Sequence, residues 1–143
     1  MNDNYTRILQ VRLLLIERCL HNILQKMDYE TQDSVYILYS FKNTIDPNLK
    51  VRICEIINSM FYEINQLKNK LDLESKEISV VKSMTGDLDE IWTTLENTMP
   101  EKMITGYGNM TDDDKELLKP SILILLDLVK EIYDIFEKAR AST

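Results

Sequence analysis

The chain has 143 residues, 44% of them hydrophobic and 29% charged, with a formal net charge of −7. That length holds one domain with a real core and not two. The acidic balance argues against nucleic-acid backbones and anionic membranes as partners. Three glycines and three prolines supply too little turn chemistry for a sheet protein.

The first predicted element is an amphipathic helix over 5–27. Leu9, Leu13, Ile16, Leu20, Ile23 and Met27 recur at alternating four- and three-residue steps, a seam like that of a coiled coil. Residues 1–27 are the only net-positive part of the chain, through Arg7, Arg12, Arg18 and Lys26. They read as a solvated helix face that pairs with the acidic remainder. The start Met-Asn-Asp-Asn-Tyr lacks a basic region, and Arg12, Glu17 and Arg18 break the apolar run, so no secretory signal is expected. A cytoplasmic chain follows, with Cys19 and Cys54 reduced and packed as small hydrophobes. Abundant Asn, Lys and Ile fit an AT-rich bacterial, phage or viral coding sequence.

Residues 28–45 are less regular. The run "VYILYSF" at 35–41 has strand-like composition, but no second strand exists to satisfy its backbone, so a short helix of about three turns is predicted. Asp46-Pro47 is a start signal, a capping carboxylate followed by Pro at the first helical position. The helix it opens is expected to reach Leu71, with Leu49, Ile53, Ile56, Met60, Ile64, Leu67 and Leu71 as its seam. A further helix is predicted over 74–98, with Ile78, Val81, Met84, Leu88, Ile91, Trp92, Leu95 and Met99 on one side. Gly86 inside it costs about 1 kcal/mol against alanine, and Pro100 ends it.

Residues 100–111, "PEKMITGYGNMT", read as a loop, because Gly106 and Gly108 bracket Tyr107. Met103, Ile104, Tyr107 and Met110 are the predicted partner-binding residues. They either fold back to cap the helices or form a mobile apolar finger. Thr111 then caps "DDDKELLK", whose aspartates face the positive end of a helix dipole. That helix is expected to stop or kink at Pro120. The last segment, "PSILILLDLVKEIYDIFEKAR" at 120–140, is too charged to span a membrane, since Asp127, Lys130, Glu131 and Asp134 would all lie inside the span. Its period is helical from Leu125 onward, and it is expected to be the most buried helix.

Little chemistry is visible. His21 is the only histidine, with Glu17 one turn before it. A bundle metal site needs several inward carboxylates and imidazoles, usually as Glu-x-x-His pairs on two helices, so the two residues read as an exposed polar pair. A magnesium site on Asp87, Asp89 and Glu90 would need carboxylates from a second helix, and 47–71 offers only Glu55 and Glu63. "DDDK" lacks the alternating pattern of a calcium loop, and no phosphate-cradling glycine loop is present. No catalytic residue, metal ligand or cofactor is therefore predicted.

These readings converge on an all-α, antiparallel helical bundle of four long helices and one or two short ones, forming a single domain over 1–143. The expected role is a non-catalytic adaptor, inhibitor or assembly subunit that binds another protein through an apolar surface. The alternative is a metal- or nucleotide-handling helical enzyme using Glu17, His21, Asp87 and Glu90. A twofold homodimer is also expected, because the seams at 9–27 and 49–71 are wide enough to serve a core and a partner together. Neither nucleic acid nor membrane is expected as a partner.

Overall fold

The computed structural model describes residues 1–29 and 36–141. Among them the fold is all-α, with five helices and no strand. The chain divides into two compact units, Met1–Ser75 and Lys76–Thr143.

The first unit is an antiparallel helix pair. α1 (Asp3–Met27) starts where the Asn2 side chain accepts a hydrogen bond from the Tyr5 N–H. α2 (Pro47–Lys70) starts as its sequence dictates, with the Asp46 carboxylate accepting from the Leu49 N–H at 2.9 Å and Pro47 in the first turn. α2 closes through Asp72, which takes a left-handed conformation at φ 50. The next N–H, that of Leu73, then bonds back to the Lys68 carbonyl at 2.9 Å, and the Leu73 side chain is buried. Three contacts set the pairing: the Gln10 amide donates to the Glu74 carbonyl at 3.0 Å, His21 lies against Phe61, and Lys50 pairs with Asp28. Between them Leu20, Met27 and Ile57 form the buried core, with Leu24, Ile53, Cys54, Phe61 and Ile64 packed around it.

The predicted helix over 28–45 is corrected. Residues 36–45 are irregular, with Ile37 and Leu38 97% and 94% exposed; residues 30–35, including Val35 of the predicted run, lie outside the described residues. Branched and aromatic side chains lose rotamer freedom in a helix, and here the aromatics find partners without one. Tyr36 stacks on Tyr39, and Phe41 sets its edge against both and also meets Tyr29. Asn43 does the backbone's work at the end of α1. Its amide nitrogen donates to the Met27 and Tyr29 carbonyls at 3.0 and 2.8 Å, groups that a helix end leaves unpaired.

The second unit contains α3 (Val80–Thr98), α4 (Pro100–Tyr107) and α5 (Asp112–Ala141). α3 begins later than predicted because Ser79 supplies the cap, accepting from the Lys82 N–H. Pro100 ends α3, but the loop predicted over 100–111 is corrected. Pro100 sits at the start of α4, where its missing N–H costs nothing, and it is fully buried. Gly106 is tolerated in the last turn of α4. Gly108, at φ 96, ends the helix in a conformation that suits glycine. Thr111 caps α5 as predicted, accepting from the Asp114 N–H.

Pro120 neither stops nor starts a helix, since α5 runs through it for 30 residues. Proline there removes one donor, the partner of the Glu116 carbonyl. Both residues are exposed, so water can take that carbonyl. Packing on either side holds the helix together: Leu118 and Ile122 fall on the same inner face, and Lys119 pairs with Glu101 of α4 at 2.7 Å. α3 and α5 run antiparallel, linked by Arg140 to Thr85 at 2.7 Å, by Tyr133 to Asp89, and by Lys130 over the Trp92 ring. Leu88, Ile122 and Val129 are buried. The expectation that 120–140 would be the most buried helix is overturned. Leu123, Ile124, Leu125, Leu128, Ile132 and Ile135 are 40–62% exposed, because the antiparallel pairing with α3 covers only one stripe of α5.

Ile57 is the central residue of the α1–α2 core and is 3% exposed. Ile57→Ala is expected to cost about 2–5 kcal/mol, read by urea unfolding. Asn58→Ala, one position round the helix on its exposed side, should change stability by less than about 0.5 kcal/mol.

Candidate interaction surfaces

The residues that suggested chemistry are brought together only in pairs. His21 Nε2 lies 3.7 Å from Glu17 Oε1, with both side chains more than half exposed and the His21 ring resting on Phe61. Asp87 and Glu90 border an open depression with Ile91, Thr94 and Leu95 on α3, while Asp89 accepts the Tyr133 hydroxyl instead. Among the described residues no group of three or more His, Cys, Asp or Glu side chains is placed to hold a metal ion.

The four predicted partner residues lie on and just after α4. Met103, Ile104 and Met110 are half-buried, and Tyr107 is 88% exposed. One tyrosine therefore projects from a short helix whose other apolar side chains are partly packed.

Larger apolar surfaces lie on the long helices. Each residue of a helix is turned by about 100° from the last. On α1 the packed stripe is Leu13, Leu20, Leu24 and Met27; Ile16 and Ile23 lie about 60° to one side of it, Ile8 and Leu15 about 140° to the same side, and all four are exposed. On α2 the packed stripe is Cys54, Ile57, Phe61 and Ile64. Leu49, Ile56, Met60 and Leu67, four residues of the predicted seam, lie about a quarter turn away in the same rotational sense. In an antiparallel pair the same sense on both helices puts both sets on the same side. One side of the α1–α2 pair is thus bare and apolar.

The α3–α5 pair repeats the arrangement. Met84 and Ile91 on α3, and Leu125, Leu128, Ile132 and Ile135 on α5, are displaced in that same sense from the stripe holding Leu88, Trp92, Ile122 and Val129. Sequence periodicity located most of these side chains, and on α1 and α2 their seams read as wide enough for a core and a partner together. Ile8 and Leu15, outside the predicted α1 seam, extend its apolar arc.

The two units differ in charge. Residues 1–75 hold nine Lys or Arg against ten Asp or Glu, a net −1, and residues 76–143 hold eight against fourteen, a net −6. The perturbed ionisable groups all serve helix pairing. The Lys50 ammonium is held above its ordinary range by its hydrogen bond to Asp28, and Glu101 is held below its ordinary range by its bond from Lys119. Donation to the Asp89 carboxylate pushes the Tyr133 phenol up to about 12. No helix among the described residues is long and apolar enough to cross a membrane. No protein-family model, curated protein or solved structure matches the chain.

Two outcomes are expected. In ultraviolet titration Tyr133 should ionise near 12, and Asp89→Asn should return it toward the ordinary 10. A phenol raised on folding stabilises the fold below the unfolded value, so this contribution is intact below pH 10 and lost as pH rises toward 12. Replacing Glu17 and His21 with alanine should change stability by less than about 1 kcal/mol, measured by thermal unfolding.

Proposed function

We propose that this chain is a non-catalytic interaction module that binds another protein through a bare apolar helix face. The observation that carries this reading is the α3–α5 side, where Leu125, Leu128, Ile132 and Ile135 line up in water beside Met84 and Ile91. Exposed apolar patches of this kind are a feature of interaction surfaces. Its rim is acidic on both helices, with Asp87 and Glu90 on α3 and Glu131 on α5. An apolar stripe between two acidic edges suits an amphipathic helix that carries a basic flank. Tyr107, with Met103, Ile104 and Met110 behind it, offers a second contact from α4, combining large area with a polar tip. The role that follows is that of an adaptor, inhibitor or assembly subunit.

Affinity capture from the native cell tests this with two proteins in parallel, the wild type and a Leu128→Ser, Ile132→Ser, Ile135→Ser variant. The variant is expected to lose the captured protein while its melting temperature stays within a few degrees, because these side chains are outside the core. Wild-type capture should also weaken with added salt, as an acidic rim requires. Equal capture by both proteins would exclude this face, and specific capture of nothing by the wild type would overturn the reading.

A further inference from the structure

We infer that the bare side of the α1–α2 pair is an interface between two copies of this chain, each laying that side against the other to complete a four-helix core. The inference rests on the interaction-module reading and names the partner for this second face.

The area is sufficient. The eight apolar residues on that side are 38–57% exposed. Covering them removes roughly 700 Å² from each copy, or roughly 1,400 Å² in all, inside the range of stable specific interfaces. The surface is also continuous, since Leu15 and Ile16 on α1 lie level with Leu67 on α2, and Ile23 lies level with the turn between Ile56 and Met60. That registry is set by the contacts of Gln10 with Glu74, His21 with Phe61 and Lys50 with Asp28. Two such flat, two-helix sides stacked face to face give each helix a second and third neighbour, the geometry of a four-helix bundle.

Charge selects this face over the α3–α5 side for self-association. A copy meeting itself must bring like surfaces together. The α1–α2 unit is nearly neutral, at net −1, and its bare side carries two cations and one anion, Arg12, Lys26 and Glu63. Near-zero net charge removes the repulsion that opposes association. The second unit, at −6, would repel its own copy.

Cys19 supplies a native probe. It is exposed, and the helical turn places it between Leu15 and Ile23, in the middle of the bare side. Sedimentation of the full chain across micromolar concentrations is expected to show the 16.8 kDa species giving way to one of twice that mass. Alkylation of Cys19 should slow several-fold over the same range. Leu15→Glu with Ile56→Glu should abolish the larger species at unchanged helical dichroism, whereas Leu128→Glu with Ile135→Glu should leave it intact. Three results would overturn the proposal: the 16.8 kDa species throughout, a dimer indifferent to Leu15→Glu and Ile56→Glu, or a dimer that forms while Cys19 reacts at a constant rate. If the α1–α2 variant fails to fold, the wild-type Cys19 rate decides alone. A strictly monomeric chain that still captures a partner protein through α5 sinks the second copy and leaves the interaction module standing. A dimer that captures nothing does the reverse.

Discussion

A helix packed on a single neighbour buries a stripe little more than 100° wide. Three of the four long helices, α1, α2 and α5, carry apolar arcs much wider than that. On α1 the apolar positions run from Leu15 and Ile8 through Ile16 to Leu13 and Leu24, close to half the circumference. Each unit pairs its two long helices once, so each is left with apolar surface that its own fold does not use. The small buried cores, Leu20, Met27 and Ile57 in one unit and Leu88, Ile122 and Val129 in the other, follow from the same geometry. A two-helix layer has no interior beyond the single seam where its members touch.

The helices themselves were legible from local chemistry. Asp46-Pro47 and Thr111 start helices because a capping oxygen and a preset φ act on their immediate neighbours, with no help from distant contacts. The failures at Pro100 and Pro120 share a cause, which is that proline constrains the chain without saying which neighbour will compensate. Pro100 is both the stop of one helix and the first residue of the next. Pro120 is carried within a helix because Leu118 and Ile122 pack on either side of it. Between α1 and α2, the run beginning at Tyr36 satisfies its aromatic rings by stacking, which no propensity scale anticipates. For the candidate sites, the Glu17–His21 pair was readable as an exposed polar contact because one helical turn fixes it. The bare faces were not, since periodicity reveals how wide an apolar arc is but not how much of it a partner helix covers.

The charged groups are organised around that same pairing. Lys50 with Asp28, Lys119 with Glu101, and Tyr133 with Asp89 each tie the end or flank of one helix to its neighbour. Such exposed contacts add little stability, but they fix which turn of one helix lies against which turn of the other. Register matters more here than in a deeper core, because a slip of one turn would break up the apolar side that both helices build together.

Asn43 has a consequence of a different kind. By bonding the Met27 and Tyr29 carbonyls through one amide nitrogen, it staples the chain back onto the end of α1 before α2 begins. The bond to the Tyr29 carbonyl closes the sequence from Tyr29 to Asn43 into a ring of covalent chain and one hydrogen bond. The entropy of closing such a loop grows only with the logarithm of its length, so doubling it costs about 0.6 kcal/mol. Sequence added within that ring would lengthen it at small entropic cost, while the alignment of α1 with α2 stays anchored by Gln10, His21 and Lys50.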